Sequence, residues 1–295
     1  DGAGQWLERY YSANAKFLGA TLPPGERIEY YLAGDSEALT DLGCPPSAGG
    51  CAREKTINSL FQVYAHEIVH ANASLVGTPP ALFQEGLAVV LSCGPSSDEG
   101  GPLDTSDPIE QLVETEAFTG WREEKGFRVY DASASFVRYL LDKFGSSRFV
   151  SFYARAPGGG SRQEIEAVFQ AEMGEGLDNA FSDWRTKPPP YRGDLCLRLM
   201  ECDSSTPSLV DTELTLSCGP SGGSGQSQAA LRRFEVPDQR ILQITTEPDQ
   251  TDPRLISSVS IYRCSGGDAI GFFGRTAGVR LDADNNRIID PAQPA

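Results

Sequence analysis

The chain has 295 residues, a net charge of −16, 39% hydrophobic residues and 22% charged residues. This length is enough for one large domain or two medium ones, and the composition is that of a globular protein. The negative charge argues against nucleic acid and anionic membrane surfaces as partners, because both require a basic face. No run of about 18 apolar residues is present, so no transmembrane helix is expected.

The first predicted elements are a helix and a strand. Trp6, Tyr10 and Phe17 recur at helical spacing, and the helix should end before Pro23. Residues 28–33 then form a short run of apolar and aromatic residues that is typical of a strand.

The next segment predicts two helices separated by a sharp break. A long helix is expected over residues 54–75, and a second one over residues 81–91. Pro79 and Pro80 lie between them, where a helix cannot continue. Four more helices are expected, at 107–118, 130–144, after a capping box of Ser161 and Glu164, and at 177–184.

The pattern changes at the proline run of residues 188–190. Beyond it, short β-rich segments alternate with Gly, Ser and Pro, at about 195–200, 213–216, 232–236, 241–246 and 257–262. We therefore expect a helix-rich α+β domain over 1–187, a linker over 188–192 and a small all-β, sandwich-like domain over 193–295.

The seven cysteines form no CxxC pair, which disfavours a thiolate metal site. Their spacing is more typical of disulfides in an oxidising compartment, and a short loop separates Cys44 from Cys51. The odd count leaves one thiol, for which Cys93 is the candidate. The sequence begins as a mature protein would, so we expect a secreted, periplasmic or cell-surface location.

The main chemical motif is HExxH at residues 66–70. On a helix, His66 and His70 lie one turn apart on the same face, which suits two ligands of a tetrahedral Zn²⁺ ion. Glu67 then lies beside the metal as a candidate general base. The alternative is a pair of core histidines with no ligand.

A third ligand must be Cys, Asp or Glu, because the chain has only two histidines. Glu85 is the best candidate, since it follows His70 by 15 residues across the proline break and is surrounded by apolar residues. An unpaired carboxylate would be costly to bury there, and a metal ion would offset that cost. The alternative is a surface acid of the helix.

These residues resemble the gluzincins, the thermolysin-like zinc metallopeptidases of the MA clan, in their bacterial peptidase-MA-like branch. The resemblance covers residues 27–184 and rests on His66-Glu67-x-x-His70 followed by Glu85-Gly86-x-Ala88. It implies a zincin-like catalytic domain with His66, His70 and Glu85 as zinc ligands and Glu67 as base. It also implies a mixed N-terminal sheet that holds an extended peptide, to which residues 28–33 would contribute.

Two features of the family are missing from the sequence. The chain lacks the Gly-rich amine-binding motif of the aminopeptidase branch and the long C-terminal helical domain of thermolysin. The resemblance further implies a Tyr or His donor to the oxyanion, and Tyr130 is our choice because no histidine remains. An aromatic residue that merely packs at the helix start is the alternative for Tyr130.

The sequence thus predicts a zinc-dependent endopeptidase whose partner is a peptide or protein substrate. One alternative is a catalytically silent zinc protein that works in adhesion or carbohydrate binding. Another is a zinc amidase that acts on cell-wall amides. By analogy of fold, the C-terminal domain is expected to contact a surface or a glycan.

Overall fold

A computed structural model describes residues 2–46, 48–92, 109–113, 128–186 and 188, together with five strands between residues 242 and 288. The chain divides into two compact units, of which the first contains the helices and the second contains those five strands. The described helices include none that is long and apolar enough to cross a membrane.

The first unit is a helical array with one small sheet, which confirms the expected α+β class. Its elements are α1 (Gly2–Leu18), β1 (Glu29–Leu32), α2 (Ser36–Asp41), β2 (Gly50–Arg53), β3 (Thr56–Ser59), α3 (Ala65–Ala73), α4 (Ala81–Leu91), a 3₁₀ helix (Ile109–Val113), α5 (Arg128–Phe144), α6 (Ser146–Arg155), α7 (Arg162–Met173) and α8 (Leu177–Thr186).

The sheet has the order β1-β3-β2 and is mixed. The central strand β3 pairs in parallel with β1, with Tyr30 opposite Ile57, and antiparallel with β2, with Ala52 opposite Ile57. A tight turn joins β2 to β3, and Glu54 adopts the left-handed conformation in it (φ 52°). The expected strand at residues 28–33 is therefore present as β1.

The prediction of a helix over residues 54–75 is wrong for its first half, because α3 begins only at Ala65. Residues 56–59 form the central strand instead. Ile57 is almost fully buried there, at 1% exposure, and both edges of its strand are hydrogen-bonded to neighbours. Tertiary pairing with β1, which is distant in sequence, decides the conformation of this segment over local periodicity.

The core is formed by α3, α4 and α5 packing with the later helices. Aromatic side chains pack at its centre. The rings of Phe136 and Phe181 stack 4.1 Å apart, and those of Phe83 and Phe152 lie edge to face 4.8 Å apart. Tyr10 of α1 donates a hydrogen bond to the carbonyl of Leu91 (2.6 Å), which ties the first helix to the end of α4.

The predictions of α1, α4, α5, α7 and α8 agree with this structure, whereas α2, β2 and α6 were missed in addition to β3. Residues 81–91 form α4, residues 177–186 form α8, and Ser161 with Glu164 forms the expected capping box. The predicted helix at 107–118 is represented in the described residues by the 3₁₀ helix Ile109–Val113. Helix α6 was not predicted, although apolar residues recur in it at positions 149, 152 and 153.

The second unit is described by strands alone: β4 (Leu242–Thr246), β5 (Ser257–Ile261), β6 (Ile270–Gly274), β7 (Ala277–Leu281) and β8 (Arg287–Ile288). The strands pair antiparallel in the orders β4-β7-β8 and β5-β6. Strands β4 and β5 coincide with predicted strands. The other predicted strands, Cys93 and most of the predicted linker lie outside the described residues, so the sandwich and the domain boundaries stay predictions.

Candidate metal centre

Three side chains from two neighbouring helices converge on a common point in the first unit. Nε2 of His66 lies 3.0 Å from Nε2 of His70, and Oε2 of Glu85 lies 3.1 Å from the first nitrogen and 3.2 Å from the second. The three ligand atoms thus form a nearly equilateral triangle. Within the described residues this is the group of His, Cys, Asp and Glu side chains that could hold a metal ion.

Helix α3 supplies both histidines. They are one turn apart and therefore lie on the same face of the helix. The two rings lie edge to face with their centroids 4.7 Å apart, so both Nε2 atoms point to the same side. The helix is anchored behind them by Ile68 and Val69, which are 3% and 0% exposed. The sequence spacing and the apolar opposite face therefore fix the direction of both imidazoles.

Helix α4 supplies the carboxylate, and its position is fixed by a close contact with α5. A Cβ atom at Gly86 would lie 2.5 Å from the backbone oxygen of Ser133 and 2.6 Å from Cγ2 of Val137. Only glycine permits this approach, and Glu85 is the preceding residue. At the start of the helix, the side chain of Gln84 donates a hydrogen bond to the carbonyl of Pro79 (2.6 Å).

The three side chains polarise one another strongly. Burial raises the pKa of Glu85, but His70 and His66 outweigh it and hold this pKa well below its usual range. Burial also lowers the pKa of His70, but the charge and hydrogen bond of Glu85 outweigh it and raise this pKa to about 9, with a smaller contribution from Glu67. The carboxylate is therefore ionised and available as a ligand.

Glu67 lies on α3 between the two histidines and is only 6% exposed. Its negative charge contributes to the raised pKa values of His70, Tyr64 and Tyr30, so its carboxylate lies near all three groups. The predicted base thus lies on the same helix as His66 and His70 and is within electrostatic range of His70.

Tyr130 is at the start of α5, and its ring centroid lies 6.1 Å from that of His66. The structure therefore brings the predicted oxyanion donor to the candidate site. All five residues singled out from the sequence lie in one region.

Sequence reasoning missed Tyr64, the residue that precedes α3. Its ring lies 6.0 Å from that of His66 at an angle of 25°. The ring of Tyr130 lies 6.1 Å from the same imidazole. Burial, followed by the charges of Glu67, Tyr130 and Glu85, raises the pKa of Tyr64 to about 12. The available signal was its position two residues before the first histidine.

Two shallow depressions of the described surface are lined by other residues and lack metal-binding chemistry. Their charged side chains are already paired, Arg185 with Glu110 and Arg162 with Asp178. They offer no converging unpaired groups comparable to those around Glu85.

The spacing and the types of the three donor atoms fit a bound metal ion. Zinc ligands lie about 2.0–2.2 Å from the metal, so the edges of a tetrahedral site are about 3.3–3.5 Å long. The observed edges of 3.0–3.2 Å are close to this value. Imidazole nitrogens favour Zn²⁺ and similar transition ions over Ca²⁺ and Mg²⁺, which require mostly oxygen ligands.

The three candidate ligands also remain accessible. The side chains of His66, His70 and Glu85 are 15%, 17% and 23% exposed. A structural zinc site is normally closed by four protein ligands, whereas a catalytic one keeps an open position. Three partly exposed ligands fit the open kind.

Comparisons with protein-family models, with curated proteins and with solved structures find no match for this chain. The resemblance to gluzincins therefore rests on the motif residues alone.

Proposed function

We propose that the protein is a zinc-dependent endopeptidase with a zincin-like catalytic domain. The observation that carries the proposal is the triangle of His66, His70 and Glu85, which leaves one side of the ligand set accessible and has Glu67 next to it. A structural zinc site is normally closed by four protein ligands, whereas this set supplies three.

The chemistry divides between the metal and the chain. Zinc bound by these three side chains supplies a Lewis acid that polarises a carbonyl and lowers the pKa of water. Glu67 accepts the proton from the attacking water and delivers it to the leaving amine. Tyr130 donates a hydrogen bond to the oxyanion that develops on the carbonyl, where one such donor contributes a factor of about 10²–10³ in rate.

Strand β2 provides the edge along which an extended peptide binds. The amide of Leu60 donates to the carbonyl of Gly49 (2.9 Å), so the groups of Gly49 face β3. Because direction alternates along an antiparallel strand, the backbone groups of Gly50 and Ala52 face outward. No described strand pairs with that side, and β2 packs on α3, whereas β1 is the other edge of the sheet.

The disulfide between Cys44 and Cys51 supports an oxidising compartment for this activity. Cys51 lies on β2 and Cys44 is buried shortly after the end of α2, so the bond holds the edge strand to the segment that follows α2. We propose that the enzyme acts outside the cytoplasm on peptide or protein substrates. A surface or glycan contact of residues 193–295 stays a prediction.

The test compares the wild type, Glu67→Gln and Glu8→Gln, each loaded with zinc, on a broad peptide library read by mass spectrometry. Glu8 is an exposed acid of α1 and serves as the control. The wild type and Glu8→Gln should cleave peptides, whereas Glu67→Gln should keep one zinc per chain and lose about 10²–10⁴-fold in turnover.

The same assay contains the outcomes that contradict the proposal. Full activity of Glu67→Gln would remove Glu67 from the mechanism. Cleavage of muropeptides, which are assayed beside the library, but of no library peptide would indicate a cell-wall amidase. Bound zinc without cleavage of either substrate class would indicate a non-enzymatic protein.

A further inference from the structure

A row of aromatic rings extends from the candidate metal centre to the protein surface. The ring of Tyr64 lies 6.0 Å from that of His66 and nearly parallel to it, and the ring of Phe61 lies 5.1 Å from that of Tyr64, edge to face. The outermost residue, Phe61, is 40% exposed. The row therefore extends from a candidate ligand to an exposed apolar side chain.

Phe61 is held in place by its backbone. Its amide donates a hydrogen bond to Oγ of Ser59 (2.9 Å), and its carbonyl accepts one from the hydroxyl of Tyr30 (2.6 Å). Ser59 is fully buried and belongs to the central strand, and Tyr30 belongs to β1. Single exposed apolar residues are common on protein surfaces, and this one has both of its backbone groups hydrogen-bonded.

The rings lie against the start of the edge strand β2. A Cβ atom at Gly49 would lie 2.8 Å from the ring of Phe61, and one at Gly50 would lie 2.6 Å from the ring of Tyr64. The absence of side chains at these two positions leaves the rings in direct contact with the strand backbone. A peptide bound along β2 therefore passes beside the exposed part of Phe61.

We propose that Phe61 is a specificity-determining residue that receives a large apolar side chain, aromatic or aliphatic, of the peptide substrate. The proposal rests on the proposed function, since it assumes a peptide on β2. Contact with such a side chain removes apolar surface of both partners from water, and ring pairs gain further from edge-to-face contact. Discrimination by apolar contacts of this size is typically about 10-fold or more.

The first experiment measures kcat/KM for matched peptides that carry Phe or Ala at each position near the scissile bond. The wild type should prefer Phe to Ala at one position by about 10-fold or more, and Phe61→Ala should reduce this ratio to about 1–3. Tyr31→Ala is the matched control, because Tyr31 is a similarly exposed aromatic residue (48%) on β1, the opposite edge of the sheet. It should leave the ratio unchanged.

A second experiment measures binding without turnover. Isothermal titration of the zinc-loaded protein compares two peptide hydroxamates that differ only in a benzyl or a methyl side chain. The wild type and Tyr31→Ala should bind the benzyl compound about 10-fold more tightly, and Phe61→Ala should bind both alike.

The two readouts separate failure of this inference from failure of the proposed function. Cleavage with the same Phe preference in Phe61→Ala would overturn the role of Phe61 and leave the peptidase standing. Hydroxamate discrimination without any peptide cleavage would support the apolar subsite and overturn the peptidase. A wild type that neither cleaves peptides nor binds hydroxamates would overturn both.

Discussion

Two clusters of charged side chains lie in the helical unit, and they balance their charge in different ways. Around Lys143 the chain supplies its own cation, since the ammonium group lies 2.7 Å from Glu175 and 2.8 Å from Asp183. Glu85 has the two candidate histidines as its ion-pair partners within the described residues, and no Lys or Arg. Its charge is balanced by a shared proton or by a metal ion.

The two clusters also differ in how far their side chains are exposed to solvent. Lys143 and its partners have side chains that are 27–61% exposed, where water and salt screen their attraction. The side chains of Glu85 and its two partners are 15–23% exposed, and the candidate base Glu67 is buried, at 6% exposure. The contrast separates a self-contained surface network from a site that could take up an external cation, and each prediction below tests one side of it.

The largest expected effect is stabilisation of the folded chain by zinc. At a free zinc concentration about 1,000 times Kd, a site present only in the folded state adds about 4 kcal/mol to the free energy of unfolding. Denaturant unfolding with zinc and with a chelator measures the difference, and Mg²⁺ at the same concentration should have little effect. Identical curves with zinc and chelator would place Glu85 in a purely structural cluster like that of Lys143.

Removal of the third ligand is the next largest effect. Glu85→Ala should weaken zinc binding by at least about 100-fold, because loss of a direct ligand exceeds the 10–100-fold cost of losing an outer-shell partner. Competition with a chromophoric chelator measures the affinity. Glu175→Ala removes an acid of the other cluster and should leave it unchanged. Equal affinities for wild type and Glu85→Ala would exclude Glu85 as a ligand.

A smaller effect is expected from Gly86, which sets the position of the helix that carries Glu85. Gly86→Ala should destabilise the unit by about 1–3 kcal/mol, because overpacking against Ser133 and Val137 outweighs the better helix propensity of alanine. Gly4 of α1 is exposed and has nothing within 4 Å of an added Cβ, so Gly4→Ala is the control and should stabilise by up to about 1 kcal/mol. Thermal unfolding of both variants gives the sign, and stabilisation by Gly86→Ala would mean that α4 and α5 approach less closely.

The convergence of the candidate ligands could be anticipated because it follows from local rules. Two histidines four residues apart share a helix face whatever the rest of the fold is. The apolar residues around Glu85 and the two prolines before α4 indicated a buried acid on a returning helix. The structure brings these groups together, and their binding of zinc stays a prediction.

The sheet beside the site could not be derived in the same way. Residues 56–59 form the central strand because they pair with β1, whose residues lie 27 positions earlier in the chain. The hydrophobic periodicity of residues 56–59 alone does not indicate this partner. The sequence of β2, Gly-Cys-Ala-Arg, has little intrinsic strand preference, and its place depends on pairing with β3 and on the disulfide to Cys44. For the same reason the positions of Phe61 and Tyr64 against that strand were not predicted.

The smallest expected effect concerns the self-contained cluster. Burial lowers the pKa of Lys143, but the hydrogen bonds that it donates to Asp183, Glu175 and Tyr139 outweigh burial and raise this pKa above its usual value, so the cation persists at neutral pH. Lys143→Met should lower the melting temperature by about 3 °C or less, because exposed ion pairs contribute little, and it should leave zinc affinity unchanged. High salt should reduce the difference further.

The difference in melting temperature between wild type and Lys143→Met should depend on pH, and this dependence gives the sharpest test of the contrast between the two clusters. The hydrogen bond from Lys143 lowers the pKa of Asp183, so more protons bind in the unfolded state than in the folded state as pH falls. The stabilisation is therefore fully present above the unfolded pKa of an aspartate, about 4, and is lost as pH falls through the lower folded value. Melting curves of wild type and Lys143→Met from pH 7 to pH 2, both with a chelator present, should converge at the acid end. A difference that grows on acidification, or that depends on zinc, would mean that the two clusters are coupled and that the surface network also serves the metal centre.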